Sequence, residues 1–177
     1  MSIVLLGSTS GSVTLQEPAV AGTTVLTLPA VTGNVLTDTS PKVGNVIQVV
    51  QATSTTAFST SSSSMVATGI SASITPTSSS SKILVRMTVQ VASSASGAGI
   101  AIYRATTSIW SPSTFDGSGF YGIYPAIICL NNLEYLDSPA TTSSTTYNLY
   151  MASRSGASSA VGTNNAGTVI TLMEIAG

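Results

Sequence analysis

Residues Lys82 to Val91 read Lys-Ile-Leu-Val-Arg-Met-Thr-Val-Gln-Val, and their period decides the fold. Ile83, Val85, Met87, Val89 and Val91 are all apolar, while Leu84, Arg86, Thr88 and Gln90 alternate with them and are mostly polar. Successive side chains of a strand point to opposite faces, so this pattern makes one greasy face and one wet face. Wound as a helix, the same residues would scatter the apolar positions around the circumference and leave no stripe to bury. The rest of the chain must therefore supply strands to flank this one and an apolar layer to cover it.

Outside that stretch, charge is scarce. Five basic and six acidic residues, with no histidine, leave a net charge of −1 on 177 residues. There is no basic patch for a nucleic acid or an anionic membrane. Serine and threonine fill 57 of the 177 positions, so hydroxyls carry the solubility. Copies of so neutral a chain repel one another little, which points to assembly. The length suits one domain, or one domain with a short appendage. The single cysteine, Cys129, has no intrachain partner and lies in the apolar run Ile127-Ile128-Cys129-Leu130, so it reads as a small buried hydrophobe. Met1-Ser-Ile-Val-Leu-Leu-Gly7 lacks the basic start and the length of a signal peptide, and no run approaches the roughly 18 apolar residues of a membrane span. The expectation is a protein made in the cytoplasm, unprocessed and not inserted in a membrane.

Residues 1–40 are read as an extended arm. They hold two imperfect copies of one phrase, Pro18-Ala-Val-Ala-Gly-Thr-Thr-Val-Leu and Pro29-Ala-Val-Thr-Gly-Asn-Val-Leu. In each, Pro and Gly set a turn that feeds a short extended piece. Val13, Leu15, Val25, Leu26, Leu28, Val35 and Leu36 are nearly all its large apolar residues, too few for a core. The arm is thus either ordered against symmetry mates, with Val25, Leu26 and Leu28 at the subunit interface, or a flexible linker.

From residue 41 to 177 the pattern is that of a compact β-domain. Strands are expected over Val43–Ala52, Met65–Ile74, Lys82–Val91, Ile100–Arg104, Ala126–Leu130, Leu133–Leu136, Thr145–Met151 and Thr168–Ile175. Thr53–Ser64 reads as a solvated edge or loop, Thr75–Ser81 as a turn and Ser153–Gly167 as a loop. With no 3.6-residue period anywhere, the fold class is all-β: an antiparallel, jelly-roll-like sandwich of about eight strands. The last strand is apolar on both faces, Val169, Met173 and Ile175 on one and Ile170 and Leu172 on the other, with Thr171 and Glu174 the exceptions. A sandwich covers only one face of a strand, so the second should meet another subunit, and Ile170 and Leu172 are placed there.

Several phrases resemble a known family. Gly7-Ser-Thr-Ser-Gly-Ser-Val-Thr-Leu-Gln-Glu-Pro-Ala-Val-Ala-Gly-Thr-Thr-Val-Leu-Thr-Leu-Pro-Ala30 is similar to the opening segment of tailed-bacteriophage virion proteins, particularly tail fibres. Ser71-Ala-Ser-Ile-Thr-Pro-Thr-Ser-Ser-Ser-Ser-Lys-Ile-Leu-Val85, Leu136-Asp-Ser-Pro-Ala-Thr-Thr-Ser-Ser-Thr-Thr-Tyr147 and Thr171-Leu-Met-Glu-Ile175 resemble pieces of their carboxy-terminal domains, in the same order. The resemblance implies a structural protein of a phage particle, a homotrimer with an elongated amino-terminal part and a β-sandwich head. Those fibres are usually longer, and this chain has almost no shaft.

Catalytic chemistry is mostly excluded. Without histidine there is no Ser-His-Asp or Cys-His pair and no imidazole ligand for a metal. Asp116, Glu134 and Asp137 are the only carboxylates close in sequence, and they read as surface or turn residues; Asp137-Ser-Pro suits a turn whose carboxylate accepts a backbone N–H. Asp116-Gly-Ser-Gly has too few acidic neighbours for calcium, and the Gly-Ser runs lack the lysine of a phosphate loop. No cofactor is expected. Trp110, Phe115, Phe120, Tyr121 and Tyr124 are candidates for a platform binding host-surface glycan or protein; the alternative is that they fill the sandwich ends or the trimer axis. Arg86 and Arg104 are expected to bond carbonyls or to pair with Glu134 or Glu174 across an interface.

The leading expectation is a non-enzymatic, trimeric short tail fibre or appendage, docked on other virion proteins through residues 1–40. A capsid decoration protein that stabilises the shell is the alternative, and a polysaccharide-degrading appendage enzyme a third.

Overall fold

The computed structural model describes residues 3–6, 8–15, 42–94, 97–111, 128–156, 158–163 and 167–177. The chain divides into two units, Met1–Val35 and Leu36–Gly177. In the first, β1 (Ile3–Leu6) and β2 (Ser12–Leu15) pair as an antiparallel hairpin with Leu6 opposite Ser12, and Gly11 takes the positive φ of the turn. Val4, Leu5 and Leu6 are exposed on it. The Pro18 and Pro29 repeats, with Val25, Leu26 and Leu28, lie outside the described residues.

The second unit is an antiparallel sandwich. Its strands are β3 (Val46–Ser54), β4 (Phe58–Thr60), β5 (Val66–Ile74), β6 (Lys82–Ser93), β7 (Ala98–Arg104), β8 (Thr107–Trp110), β9 (Ile128–Asp137), β10 (Thr145–Ser153), β11 (Ser159–Val161) and β12 (Thr168–Ile175). One sheet runs β5-β10-β7-β8; the other runs β3-β12-β6-β11-β4, with β9 on the far side of β6. Leaving out the short β4 and β11, the eight remaining strands pair outermost with outermost: β3 with β12, β5 with β10, β6 with β9 and β7 with β8. Such nesting arises when one long antiparallel hairpin is rolled into two sheets, which is the jelly-roll topology. A 3-10 turn spans Arg154–Gly156, and no α-helix occurs among the described residues.

The core forms where the two inner faces meet. Ile83, Val85, Met87, Val89 and Val91 of β6 are all buried, as their alternation requires. Facing them from the other sheet are Ile70, Ala72 and Ile74 of β5 and Tyr147, Leu149 and Met151 of β10. Each large side chain buried here contributes about 1.5–3 kcal/mol.

Ile170 and Leu172 correct the expectation that they face a partner: both are fully buried in this core. The register explains it. β12 lies beside β6 with Leu172 opposite Val85 and Ile170 opposite Met87, and residues directly opposite share a face. The outward apolar set of β12 is therefore Val169, Met173 and Ile175.

Other boundaries moved for local reasons. From Ile128 on, the pieces expected at Ala126–Leu130 and Leu133–Leu136 form one strand, because Asn131 and Asn132 continue the ladder opposite Val89 and Thr88; Ala126 and Ile127 lie outside the described residues. β4, β8 and β11 are three or four residues long and rich in Ser and Thr; they are strands because a neighbour's ladder extends onto them. On β5, Gly69 adopts φ +80 at a bulge where the pairing steps from Asn148–Ser71 to Tyr150–Ala67. The Thr68 hydroxyl holds this bulge by donating to the Leu149 carbonyl at 2.8 Å and accepting from the Ile70 N–H at 3.2 Å.

Candidate functional site

The outward face of the six-stranded sheet is built in rungs by the registers of β3, β12, β6 and β9. One rung is apolar from edge to edge: Val49, Met173, Leu84, Leu136. Beside it, towards the Lys82 end of β6, lies Val46, Ile175, Lys82. Val46, Val49 and Leu136 are 53%, 56% and 47% exposed, and Leu130, farther along β9, is 66% exposed. Polar rungs follow on the other side. In Gln51, Thr171, Arg86, Glu134, the Gln51 amide donates to the Thr171 hydroxyl at 3.2 Å, and Arg86 lies 3.8 Å from Glu134. In the next, the Thr88 hydroxyl donates to Asn132 Oδ1 at 2.8 Å. The face thus carries an exposed apolar band, bounded by Lys82 and by the Arg86–Glu134 pair. Arg86 does meet Glu134, as one of the sequence readings held, but within one subunit; as an exposed pair it contributes little to stability.

Two buried polar clusters brace the sandwich behind this face. Asp137 ends β9 pointing inward, where Arg104 Nη1 of the opposite sheet donates to both its carboxylate oxygens at 2.9 and 3.0 Å. The Tyr147 hydroxyl donates to Asp137 Oδ2 at 2.8 Å. Burial first, and then the bond to this carboxylate, push the Tyr147 phenol far above its ordinary range. Asp137 is thus not a turn residue accepting a backbone N–H, and Arg104 pairs with it rather than with Glu134 or Glu174. The cluster joins β9 to β7 and β10, one sheet to the other.

Glu174 is the second brace. Its carboxylate, fully buried, accepts from Gln48 Nε2 at 2.5 Å and from the Thr77 N–H and hydroxyl at 2.7 Å each. Burial alone would raise this carboxyl, but the hydrogen bonds outweigh it and hold the group below its ordinary value. The cluster pins the turn from β5 to β6 onto β3 and β12.

Of the aromatic candidates, Trp110 sits on β8, an edge strand, and is 37% exposed. Phe115, Phe120, Tyr121 and Tyr124 lie outside the described residues. Sequence reading missed a different pair: Tyr103 and Tyr150, stacked on the outward face of the four-stranded sheet with ring centroids 3.8 Å apart and planes 13° apart. The available signal was parity, since Tyr150 alternates with the buried Leu149 and Met151. Cys129 is half-buried and packs against the core. Among the described residues no three acidic, cysteine or histidine side chains gather as a metal site, and no helix is long and apolar enough to cross a membrane.

No family model matches the sequence, and no curated protein matches it. Among solved structures, the chain is similar to infectious bursal disease virus VP2 in its subviral particle, at 15% identity and a TM-score of 0.42, over 73% of this chain and 37% of that one. It is also similar to T=1 particles derived from infectious bursal virus, at 16% identity and a TM-score of 0.43, over 94% of this chain and 43% of that one. The T13 particle of the same virus gives 17% identity, a TM-score of 0.43 and 94% and 42% coverage. The chain spans less than half the length of the chains it resembles.

Proposed function

We propose that the protein is a non-enzymatic structural component of a bacteriophage particle that works by associating with copies of itself. The observation that carries the self-association is the outward band Val46, Val49, Leu84, Leu136, Met173 and Ile175. Large exposed apolar patches mark interaction surfaces. A second copy is the fitting occupant, because a chain of net charge −1 offers its own copies almost no repulsion, and Lys82, Arg86 and Glu134 around the band supply both signs of charge to a matching surface. The phage assignment is supported by the fibre-like phrases of the sequence, and the jelly roll, a fold common among viral shell and lectin domains, agrees with it.

Within that reading the protein is a homotrimeric short tail fibre or appendage. Residues 1–40 anchor it to other virion proteins, and the sandwich faces the host surface. Its place on the particle is tested by electron microscopy of virions with the protein labelled. Density at the tail is expected; density on the shell lattice, with none at the tail, sinks the fibre assignment and leaves the decoration role. Self-association is tested apart from this by light scattering of the isolated protein, where a stable monomer at micromolar concentration would defeat it.

A further inference from the structure

We infer that the outward face of the four-stranded sheet holds a binding site for neutral saccharides, centred on Tyr103 and Tyr150. Three tyrosines on β7 and β10 allow a comparison. Tyr147 points inward, is fully buried and spends its hydroxyl on Asp137. Tyr103 and Tyr150 point outward, stack on each other, are only half-buried, and among the described residues leave both hydroxyls without a hydrogen-bond partner. Neither hydroxyl is among the buried unpartnered atoms, so both reach solvent.

The surroundings select the ligand class. β5, β7, β8 and β10 carry no Lys, Asp or Glu, and their one Arg, Arg104, is turned inward to Asp137. Around the stacked rings the face presents Asn148 directly opposite Tyr103, Ser71 beyond it, and the Ser73–Thr146 hydroxyl pair, 2.8 Å apart. Asn148 Nδ2 is held by the Ala105 carbonyl at 2.9 Å, which fixes the amide and leaves Oδ1 to accept. Flat rings suit the apolar C–H faces of a sugar, and fixed hydroxyl and amide groups beside them suit its hydroxyls. Among the described residues no charged side chain lies on this face, so nothing there would compensate the desolvation of an acidic sugar.

This deepens the proposed outward-facing role and rests on it for biological meaning. Binding is measured on the isolated protein, so it stands or fails apart from the location on the particle. The experiment is an NMR titration of the full chain with neutral glucose and galactose oligosaccharides, and with the same cores carrying sialic acid or sulfate. Neutral ligands should shift the Tyr103 and Tyr150 ring signals and the Asn148 side-chain amide, and acidic ones should not. Tyr150→Ala should weaken binding about tenfold, the loss expected for one aromatic contact of about 1.4 kcal/mol. Tyr103→Leu, which keeps apolar area but not a flat ring, serves as the second variant should Tyr150→Ala not fold. Absence of shifts at millimolar saccharide, equal binding by the variants, or a preference for the acidic ligands would each overturn the inference. A changed oligomeric state in the variants without a change in saccharide binding would do so too, assigning the stack to a subunit contact.

Discussion

The two outward faces of this sandwich are built on one core and differ in what they offer. The six-stranded sheet presents an apolar band bordered by Lys82, Arg86 and Glu134, whereas the four-stranded sheet presents stacked tyrosines, hydroxyls and an amide, with no charged side chain among the described residues of its outward face. The first suits a large dry contact with a like surface; the second suits a small polar ligand. The difference follows from side-chain parity on the strands of a hydroxyl-rich, nearly uncharged chain.

The largest effect should come from breaking what the faces share. Leu172→Asp places a charge in the core opposite Val85, and no partner there offsets several kcal/mol of desolvation. Circular dichroism should show loss of folded protein, as for Val85→Asp. A folded but dissociated Leu172→Asp protein would return Leu172 to the subunit interface. Next in size is Asp137→Ala, which leaves the Tyr147 hydroxyl and Arg104 without their acceptor and should cost about 2–3 kcal/mol in urea titrations. A loss under about 0.5 kcal/mol would show that the brace between the sheets is slack.

Glu174 gives a pH-dependent step. Because its folded-state carboxyl sits below the ordinary value, the stability it contributes is complete at neutral pH, above the unfolded-state pKa, and is lost as pH falls through the lowered folded-state pKa. Melting temperature should drop on acidification below about pH 4.5, and the drop should be shallower in Glu174→Gln. Equal acid slopes in the two proteins would count against the brace. Smallest is Gly69→Ala. The site has space for a methyl group but a φ of +80, so backbone strain alone should cost about 1 kcal/mol, detectable as a small fall in melting temperature.

Much of this was legible in the sequence. The alternation from Ile83 to Val91 named its own buried face, and Thr168–Ile175 showed that its strand is apolar on both sides. Parity, however, gives two sets and not which one is inside; that is fixed by the partner strand, and Leu172 opposite Val85 reversed the expectation. Glu174 looked like an exception in an apolar strand because the groups that hold it, Gln48 and Thr77, are distant in sequence. Arg104, Asp137 and Tyr147 were each visible, but their meeting depends on two sheets closing. Tyr103 and Tyr150 escaped notice because each sits singly on a regular strand, and only pairing stacks them.

The outward band of the six-stranded sheet is the face through which we propose that copies associate. Sedimentation velocity of Leu84→Glu beside Tyr150→Ala tests this most directly, since each substitution alters one outward face and leaves the core intact. Leu84→Glu should shift the protein towards monomer, with a melting curve still showing a folded domain, while Tyr150→Ala should keep the parental oligomer. An unchanged oligomer in Leu84→Glu, or dissociation by Tyr150→Ala instead, would contradict it.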